Sequence, residues 1–590
     1  HGKLVFAIIH QPSSDIIKMF DRLWVLDKGG YMIYDGDPVE ALVYFKTETS
    51  QANAAESECP NCGNVETDNI LHIIETKVID SSGLPGRDRQ VSPRDWYDRY
   101  RKKMMPVIDN RPEKTCVPPS NFRVPGKAEQ IRTFIQRNIT RKFADSQYMI
   151  INILEAPLLA LILAYISKYS ENGTYTLMDN RNYPIFMFMG IIVALFMGLT
   201  VSAEEIFRDR KILEREKFLN LSRSSYLVSK INFLFSLSAI QTLTFILVAN
   251  LILEVRGMLL QQWLILFSTA CFGNILGLNI SAGMRTAVSI YILIPLILVP
   301  QLLLGGAMIK FDDLHWSLSR KKYVPVIGDI MVTRWAYEAA SVEQFRSNSF
   351  QKPFFRYDME ISQYDWYASF LIPNLKVIAE KNLTVSNERR KEEEFTGAME
   401  KLSWHVKDLS NKTGLDHGKL TEGFTAERYN ESVFIQSKTF LDSLGRNFRH
   451  KSRLISDKRN ILYEQIESVI GSEEFVRLRE NHYNEALADI VLNRMSTQKI
   501  YDAGDRFIQK ADPVYMEPGS KWGRAQFYAP FKQIGSMKID TLIFNLAIIW
   551  FINALLFVLL YYNVLKKVIT FLELLKLPIL RKFGRDLLQV

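Results

Sequence analysis

Between Tyr148 and Ile309 five apolar runs follow one another with little interruption: YMIINILEAPLLALILAYI (148–166), PIFMFMGIIVALFMGLTVSA (184–203), INFLFSLSAIQTLTFILVANLIL (231–253), QWLILFSTACFGNILGLNISAGM (262–284) and AVSIYILIPLILVPQLLLGGAMI (287–309). A sixth run, TLIFNLAIIWFINALLFVLLYYN, follows at 541–563. A helix of about 20 residues rises about 30 Å and crosses the hydrocarbon core of a bilayer. Glu155 is the single acidic or basic residue inside any of the six. Soluble core helices of this length carry a polar face, and these do not. The pattern predicts an integral membrane protein with six spans.

Basic residues near the span ends set the orientation. Lys127, Arg132, Arg137, Arg141 and Lys142 precede the first span. Arg208, Arg210, Lys211, Arg215, Lys217, Arg223 and Lys230 lie between the second and third. Lys566, Lys567, Lys576, Arg581, Lys582 and Arg585 follow the sixth. The connections after the first and third spans hold only Lys168, Arg181 and Arg256. Both termini are therefore expected in the cytoplasm, and the long segment after Ile309 outside. The net charge of +9 over 590 residues is largely this bias. No basic run interleaved with aromatics accompanies it, so no nucleic-acid partner is expected. A mean hydropathy of −0.03 averages an apolar block with very polar flanks. Four cysteines in this length make no disulfide framework.

In the first fifty residues Leu4–Ile9 reads as a strand buried on both faces. His10-Gln11-Pro12-Ser13-Ser14 follows, then a short helix at Asp15–Phe20 and strands at Leu23–Leu26 and Tyr31–Tyr34 around a Gly29-Gly30 turn. An amphipathic helix at Val39–Phe45 ends the segment. The whole run AIIHQPSSDIIKMFDRLWVLDKGGYMIYDGDPVEALVYF (7–45) resembles the C-terminal end of an ABC-transporter nucleotide-binding domain. It is most similar to the G subfamily, the white-pigment and sterol or drug exporter type.

That resemblance implies a multi-domain membrane protein: the end of an α/β ATPase domain, a six-helix transmembrane domain of the type-2 exporter kind, and a large, mostly α-helical outer insertion. His10 becomes the switch histidine that contacts the γ-phosphate of ATP and takes part in catalysis; Gln11 fixes the same nucleotide-binding loop. An imidazole suits this role because it donates to a phosphate oxygen and senses its departure. The chain starts at His1 in mid-motif, without Met or signal peptide, and reads as the C-terminal part of a longer polypeptide. No GxxxxGK[ST] loop, catalytic Glu or signature motif occurs in it. Residues holding most of the ATP and Mg²⁺ are therefore expected upstream, and this chain alone is not expected to hydrolyse ATP.

The resemblance implies boundaries at 1–50 for the ATPase end, 51–126 for a linker, 127–146 for a connecting helix and 147–309 for spans one to five. It places a re-entrant outer segment at 310–349, an extracytoplasmic helical domain at 350–538, the sixth span at 539–565 and a basic amphipathic tail at 566–590. The linker carries Cys59-Pro60-Asn61-Cys62-Gly63, a knuckle that supplies half a zinc site. His72 and Cys116, or a second subunit, could complete it; two ordinary reduced thiols are the alternative. Lys127–Phe143 is amphipathic and basic, with Ile131, Phe134, Ile135 and Ile139 on one side, as for a helix on the inner membrane surface.

The stretch 203–230 resembles the family's connection between spans two and three, which places Glu214, Arg215 and Glu216 on a coupling helix against the ATPase domain. The alternative is a solvated helix laced with i,i+4 pairs. Glu155 at membrane depth must point into the bundle and either pair or be protonated; a structural hydrogen bond and a part in substrate passage are both open. Where relatives close an outer gate with leucines, this sequence has Ala307 and Met308. In the outer domain, Glu388–Leu409 and Glu427–Ile500 have helical periodicity, and His405, His417, His450 and His482 read as scattered surface residues. Asn382, Asn411 and Asn430 are Asn-x-Ser/Thr sites. The insertion's size resembles that of bacterial relatives, which implies a bacterial inner membrane. The function expected is an ATP-driven half-transporter that pairs with a second copy or a closely related half and exports a lipid-like or amphiphilic substrate, its identity open. The alternative is a non-transporting receptor or scaffold with a degenerate ATPase domain.

Overall fold

The computed structural model describes residues 4–9, 12–58, 63–65, 67–79, 85–106, 125–170, 173–216, 221–319, 321–385 and 393–574. The chain divides into two compact units, His1–Arg123 and Val124–Val590. In the first, α1 (Ser14–Ile17) leads to an antiparallel hairpin of β1 (Leu23–Asp27) and β2 (Tyr31–Gly36), followed by α2 (Glu40–Glu48) and α3 (Thr67–Glu75). A second hairpin, β3 (Lys77–Ile79) with β4 (Pro85–Arg89), precedes α4 (Pro93–Lys103). Ser92 caps α4, accepting from the Asp95 amide while the Asp95 carboxylate accepts in return. Ile33, Tyr34, Leu42, Phe45 and Trp96 form the core. The strand expected at Leu4–Ile9 is absent. A strand is held by backbone pairing, none of the described strands pairs with this segment, and its apolar side chains stand exposed although Phe6 lies against Trp24 of β1.

The second unit begins with α5 (Lys127–Ala144) and enters the apolar block: α6 (Ser146–Ser167), α7 (Tyr183–Ser202), the short α8 (Glu205–Arg215), α9 (Arg223–Leu253), α10 (Leu259–Gly283) and α11 (Ala287–Leu303). The last apolar helix comes far downstream and is numbered below. Five of these helices are long and apolar enough to cross a membrane; α11, at 17 residues, is shorter. Its expected end at Ile309 is corrected to Leu303. Gly306 takes a left-handed backbone (φ 84°) and turns the chain, a conformation that costs glycine little. Hydropathy could not mark that stop, because Leu304–Ile309 is itself apolar.

At the centre α7 and α10 approach closely. A Cβ added to Gly273 would sit 2.6 Å from the Leu195 carbonyl oxygen, and one on Gly277 would sit 2.9 Å from that of Leu199. Spaced four apart, these glycines line one side of α10 and let two backbones touch, as small residues do between membrane helices.

Beyond α11 come α12 (Val326–Asp329) and α13 (Val332–Arg346). Nearly all of α13 is buried, against α7, α10 and the final apolar helix. An insertion follows: α14 (Phe355–Trp366), α15 (Ile372–Leu383), α16 (Glu393–Thr413), α17 (Glu431–Ile470), α18 (Ser472–His482) and α19 (Glu485–Val491). Leu371, Leu375, Phe395, Leu402, Leu441 and Phe448 belong to its own core. Two hairpins that periodicity did not indicate close it, β5 (Ile500–Asp502) with β6 (Phe507–Gln509) and β7 (Phe531–Ile534) with β8 (Met537–Asp540). Then α20 (Thr541–Tyr561) is the last long apolar helix and α21 (Val564–Leu574) follows it. Of the Asn-x-Ser/Thr sites, Asn382 is buried and donates to the Ile378 carbonyl, Asn430 caps α17 by accepting from the Val433 amide, and Asn411 is exposed.

His405 is not on the surface: it is 2% exposed on α16. Its Nε2 accepts from the Phe507 amide at 3.0 Å, and Nδ1 is buried without a partner among the described residues. Burial pushes its pKa down to about 4; the cations Lys412, Lys401 and Arg506 push the same way and Asp408 opposes them. The free imidazole titrates at 6.5, so the unfolded chain takes up this proton first as pH falls. The stabilisation is complete above pH 6.5 and is lost toward about 4, amounting to about 3 kcal/mol. The protection factor of the β5–β6 amides, their exchange measured against the intrinsic rate at each pH, is expected to fall as pH drops through this interval in the intact protein. A protection factor unchanged from neutral pH to 4 would count against a buried neutral imidazole.

Candidate functional site

At the end of the bundle where α7 gives way to α8, charges are buried. Glu205 and Asp209, one turn apart on α8, are almost inaccessible. The Glu205 carboxylate accepts from Lys142 of α5 and from Lys230 of α9, the latter at 2.8 Å. Asp209 pairs with Lys230 at 2.8 Å and with Arg141, and accepts from the Tyr226 hydroxyl at 3.0 Å. Lys142 also lies 3.7 Å from the centre of the Tyr148 ring. A carboxylate that is buried needs such partners, because desolvation otherwise costs more than folding can supply.

The geometry comes from helix periodicity. The buried stripe of α5 is Gln130, Phe134, Asn138 and Lys142, four apart and mostly polar. The apolar stripe expected to lie on the membrane is only partly free: Ile139 is exposed, whereas Phe134 packs on Tyr226. Gln130 accepts from the Ser222 amide and Asn138 donates to Ser229, so α5 is stitched along α9. The start of α8 is held by α10, where the Ser281 hydroxyl accepts from the Ile206 and Phe207 amides, and Arg210 donates to the Met284 carbonyl. So α8 is fastened to three neighbouring helices, α5, α9 and α10.

A second buried cluster lies at the opposite end. Glu338 of α13 is wholly inaccessible. It accepts from Lys532 at 2.6 Å, Asn545 at 2.9 Å and the Tyr528 amide at 3.1 Å. Arg334 lies 3.2 Å from the same carboxylate, without the alignment of a hydrogen bond, and stacks on Trp335. Burial alone would raise the Glu338 pKa, but Arg334 and Lys532 outweigh it and hold it below the ordinary value. This cluster joins α13, β7 and α20.

The residues singled out from the sequence fall in different places. Glu216, just past α8, forms an ion pair with Arg137 at 2.8 Å, while Glu214 and Arg215 are exposed. Glu155 is half-buried on α6 and has no hydrogen bond or ion pair among the described residues. Ala307 lines a cavity beyond α11, and Met308 beside it faces outward. His10, Gln11, Cys59, Cys62 and Cys116 lie outside the described residues; His72 is exposed. Lys142 and Lys230 enter the sequence reading by name only through the orientation of the spans, and Glu205, Asp209, Glu338 and Lys532 are given no role in it. The readable signal was charge abutting an apolar run, with Glu205 and Asp209 on one helical face.

Comparison with known proteins bears on the same region. Residues 129–345 match the family model described as "ABC-2 type transporter". The ATP-binding cassette sub-family G member 8 of Homo sapiens is 26% identical over 235 residues, 36% of this chain and 33% of the relative. The brefeldin A resistance protein of Schizosaccharomyces pombe is 24% identical over 240 residues, 37% of this chain and 14% of the relative. The ABC multidrug transporter A-2 of Aspergillus fumigatus is 38% identical over 68 residues, 11% of this chain and 4% of the relative. The chain thus spans a third or less of the length of these curated relatives.

Proposed function

We propose, from the premise that residues 129–345 are an ABC-2 type transporter membrane domain and the chain an integral membrane component of such a transporter, that the whole protein is an ATP-driven half-transporter. It works as a dimer, with a second copy or a close relative, and exports a lipid-like or amphiphilic substrate by alternating access. The α8 end, where the basic residues gather, faces the cytoplasm. The observation that carries this reading is the buried charge junction. A solvated connector has no need of two carboxylates inside a cage of cations, whereas a lever that passes force between helices does.

In this reading residues 1–50 belong to an ATPase domain that uses ATP and Mg²⁺, with His10 and Gln11 at its nucleotide. Glu214 and Arg215 form the exposed face that a motor domain engages. Displacement of α8 passes through Glu205 and Asp209 to α5 and α9, and through Ser281 to α10. Glu155 on α6 and Ala307 and Met308 at the far turn lie along the translocation path. Cys59 and Cys62 supply half of a Zn²⁺ site. One relative, the ABC multidrug transporter A-2 of Aspergillus fumigatus, carries multidrug transport in its name, which supports an amphiphilic substrate. Transport by the polypeptide that contains this chain, reconstituted in vesicles, tests the reading. ATP-dependent movement of an amphiphile is expected, and its loss in His10→Ala. An absence of ATP turnover in the unaltered protein points instead to a receptor or scaffold.

A further inference from the structure

Beyond α11 a cavity of about 220 Å³ opens between the Gly306 turn, residues 321–324 and the insertion. Its lining carries four lysines, Lys310, Lys321, Lys322 and Lys510, against one carboxylate, Asp312. Lys510, which is buried, consumes that carboxylate, reaching both its oxygens at 2.9 Å. Lys322 lies 3.7 Å from Asp505. Among the described residues no carboxylate pairs with Lys310 or Lys321, and Lys321 sits 5.3 Å from the Tyr501 ring centre. Like charges gathered in a concavity focus a positive potential, and an anion relieves it.

The floor is of another kind. Phe311 and Phe527 meet edge to face at 5.0 Å, and Tyr337 is 6.5 Å from Phe527. Gly306 keeps this floor open, since a Cβ there would lie 2.7 Å from both phenylalanine rings. Cationic rim and aromatic floor are the two halves of one recognition chemistry. Ligand pockets commonly run from about 300 Å³ upward, so this one takes a head group and the first carbons of a chain, with the remainder outside.

We propose that this cavity binds an anionic amphiphile, its phosphate, sulfate or carboxylate head held by Lys310 and Lys321 and its apolar part laid on Phe311 and Phe527. The site goes beyond the export reading, because binding is measured without ATP and stands even if transport does not. The test uses the whole chain in neutral detergent and isothermal titration with dihexanoyl phosphatidic acid, dihexanoyl phosphatidylcholine and inorganic phosphate. Saturable binding of the phosphatidic acid is expected. Its affinity should fall about tenfold in Lys310→Gln/Lys321→Gln, as the loss of charge-assisted hydrogen bonds requires. The zwitterion should bind more weakly, and inorganic phosphate at the same concentration should not displace the ligand. Neither lysine has a carboxylate to lose, so the double variant should keep its unfolding temperature; Lys538→Gln, outside the lining, should bind as the parent does. Equal binding by the double variant overturns the site, as does equal weakening by Lys538→Gln. Full displacement by inorganic phosphate overturns the amphiphile and leaves a site for a free anion.

Discussion

Glu338→Leu is expected to cost the protein about 3–5 kcal/mol, enough to abolish recovery of folded material, because it strands buried Lys532 and leaves buried Arg334 only Asp329, at 3.7 Å. Arg334 and Lys532 are 2% and 1% exposed, and Glu338 is the carboxylate they share. Without it Lys532 faces Arg334 with no ion-pair carboxylate of its own among the described residues, Arg334 keeps only Asp329, and the Asn545 amide and the Tyr528 N–H lose their acceptor as well. Lys532→Met is expected to cost less, since Glu338 keeps Arg334, Asn545 and Tyr528. Adding Lys532→Met to Glu338→Leu should recover part of the loss, as removal of both partners of a buried pair does. Thermal unfolding of the four proteins in one detergent checks the order. A Glu338→Leu protein that melts with the parent would show that the carboxylate does not hold α13, β7 and α20 together.

The apolar helices were legible because a bilayer demands a length of greasy chain that little else demands. The end of α11 was not, since a left-handed glycine turn inside an apolar run leaves hydropathy unchanged. The buried charges were hidden for a different reason. Glu205 lies 63 residues from Lys142, and Glu338 lies 194 from Lys532. In sequence each therefore looks like a charge for water. His405 could have been found: it lies three residues after Leu402 and four before Leu409, on the flank of the stripe that packs the insertion core. The strand at Leu4–Ile9 was read from composition, which reports that a segment is fit for a sheet and not that a neighbour is there to pair with it.

The same reasoning at the other end of the bundle gives the second large effect. Glu205→Gln is expected to reduce transport per ATP hydrolysed by tenfold or more in the complete transporter, the equivalent of about 1.4 kcal/mol or above. Among the described residues Glu205 alone reaches both Lys142 on α5 and Lys230 on α9; a neutral amide keeps one acceptor oxygen, so one of those ties is lost. Asp209 still holds Lys230, Tyr226 and Arg141, and Ser281 still holds the start of α8. The helices therefore stay assembled while the linkage between α8 and α5 slackens. That separates a coupling defect from a folding defect: hydrolysis continues and transport does not. Glu216→Gln breaks only the half-exposed pair with Arg137, a class of contact worth about 1 kcal/mol or less, so a severalfold loss is the most it should produce. Restoration of transport by the exchange Arg137→Glu/Glu216→Arg, against losses in each single change, would show that opposite charge at that position is what matters. A Glu205→Gln transporter that moves as much substrate per ATP as the parent would make the buried junction a brace for the bundle and not a lever.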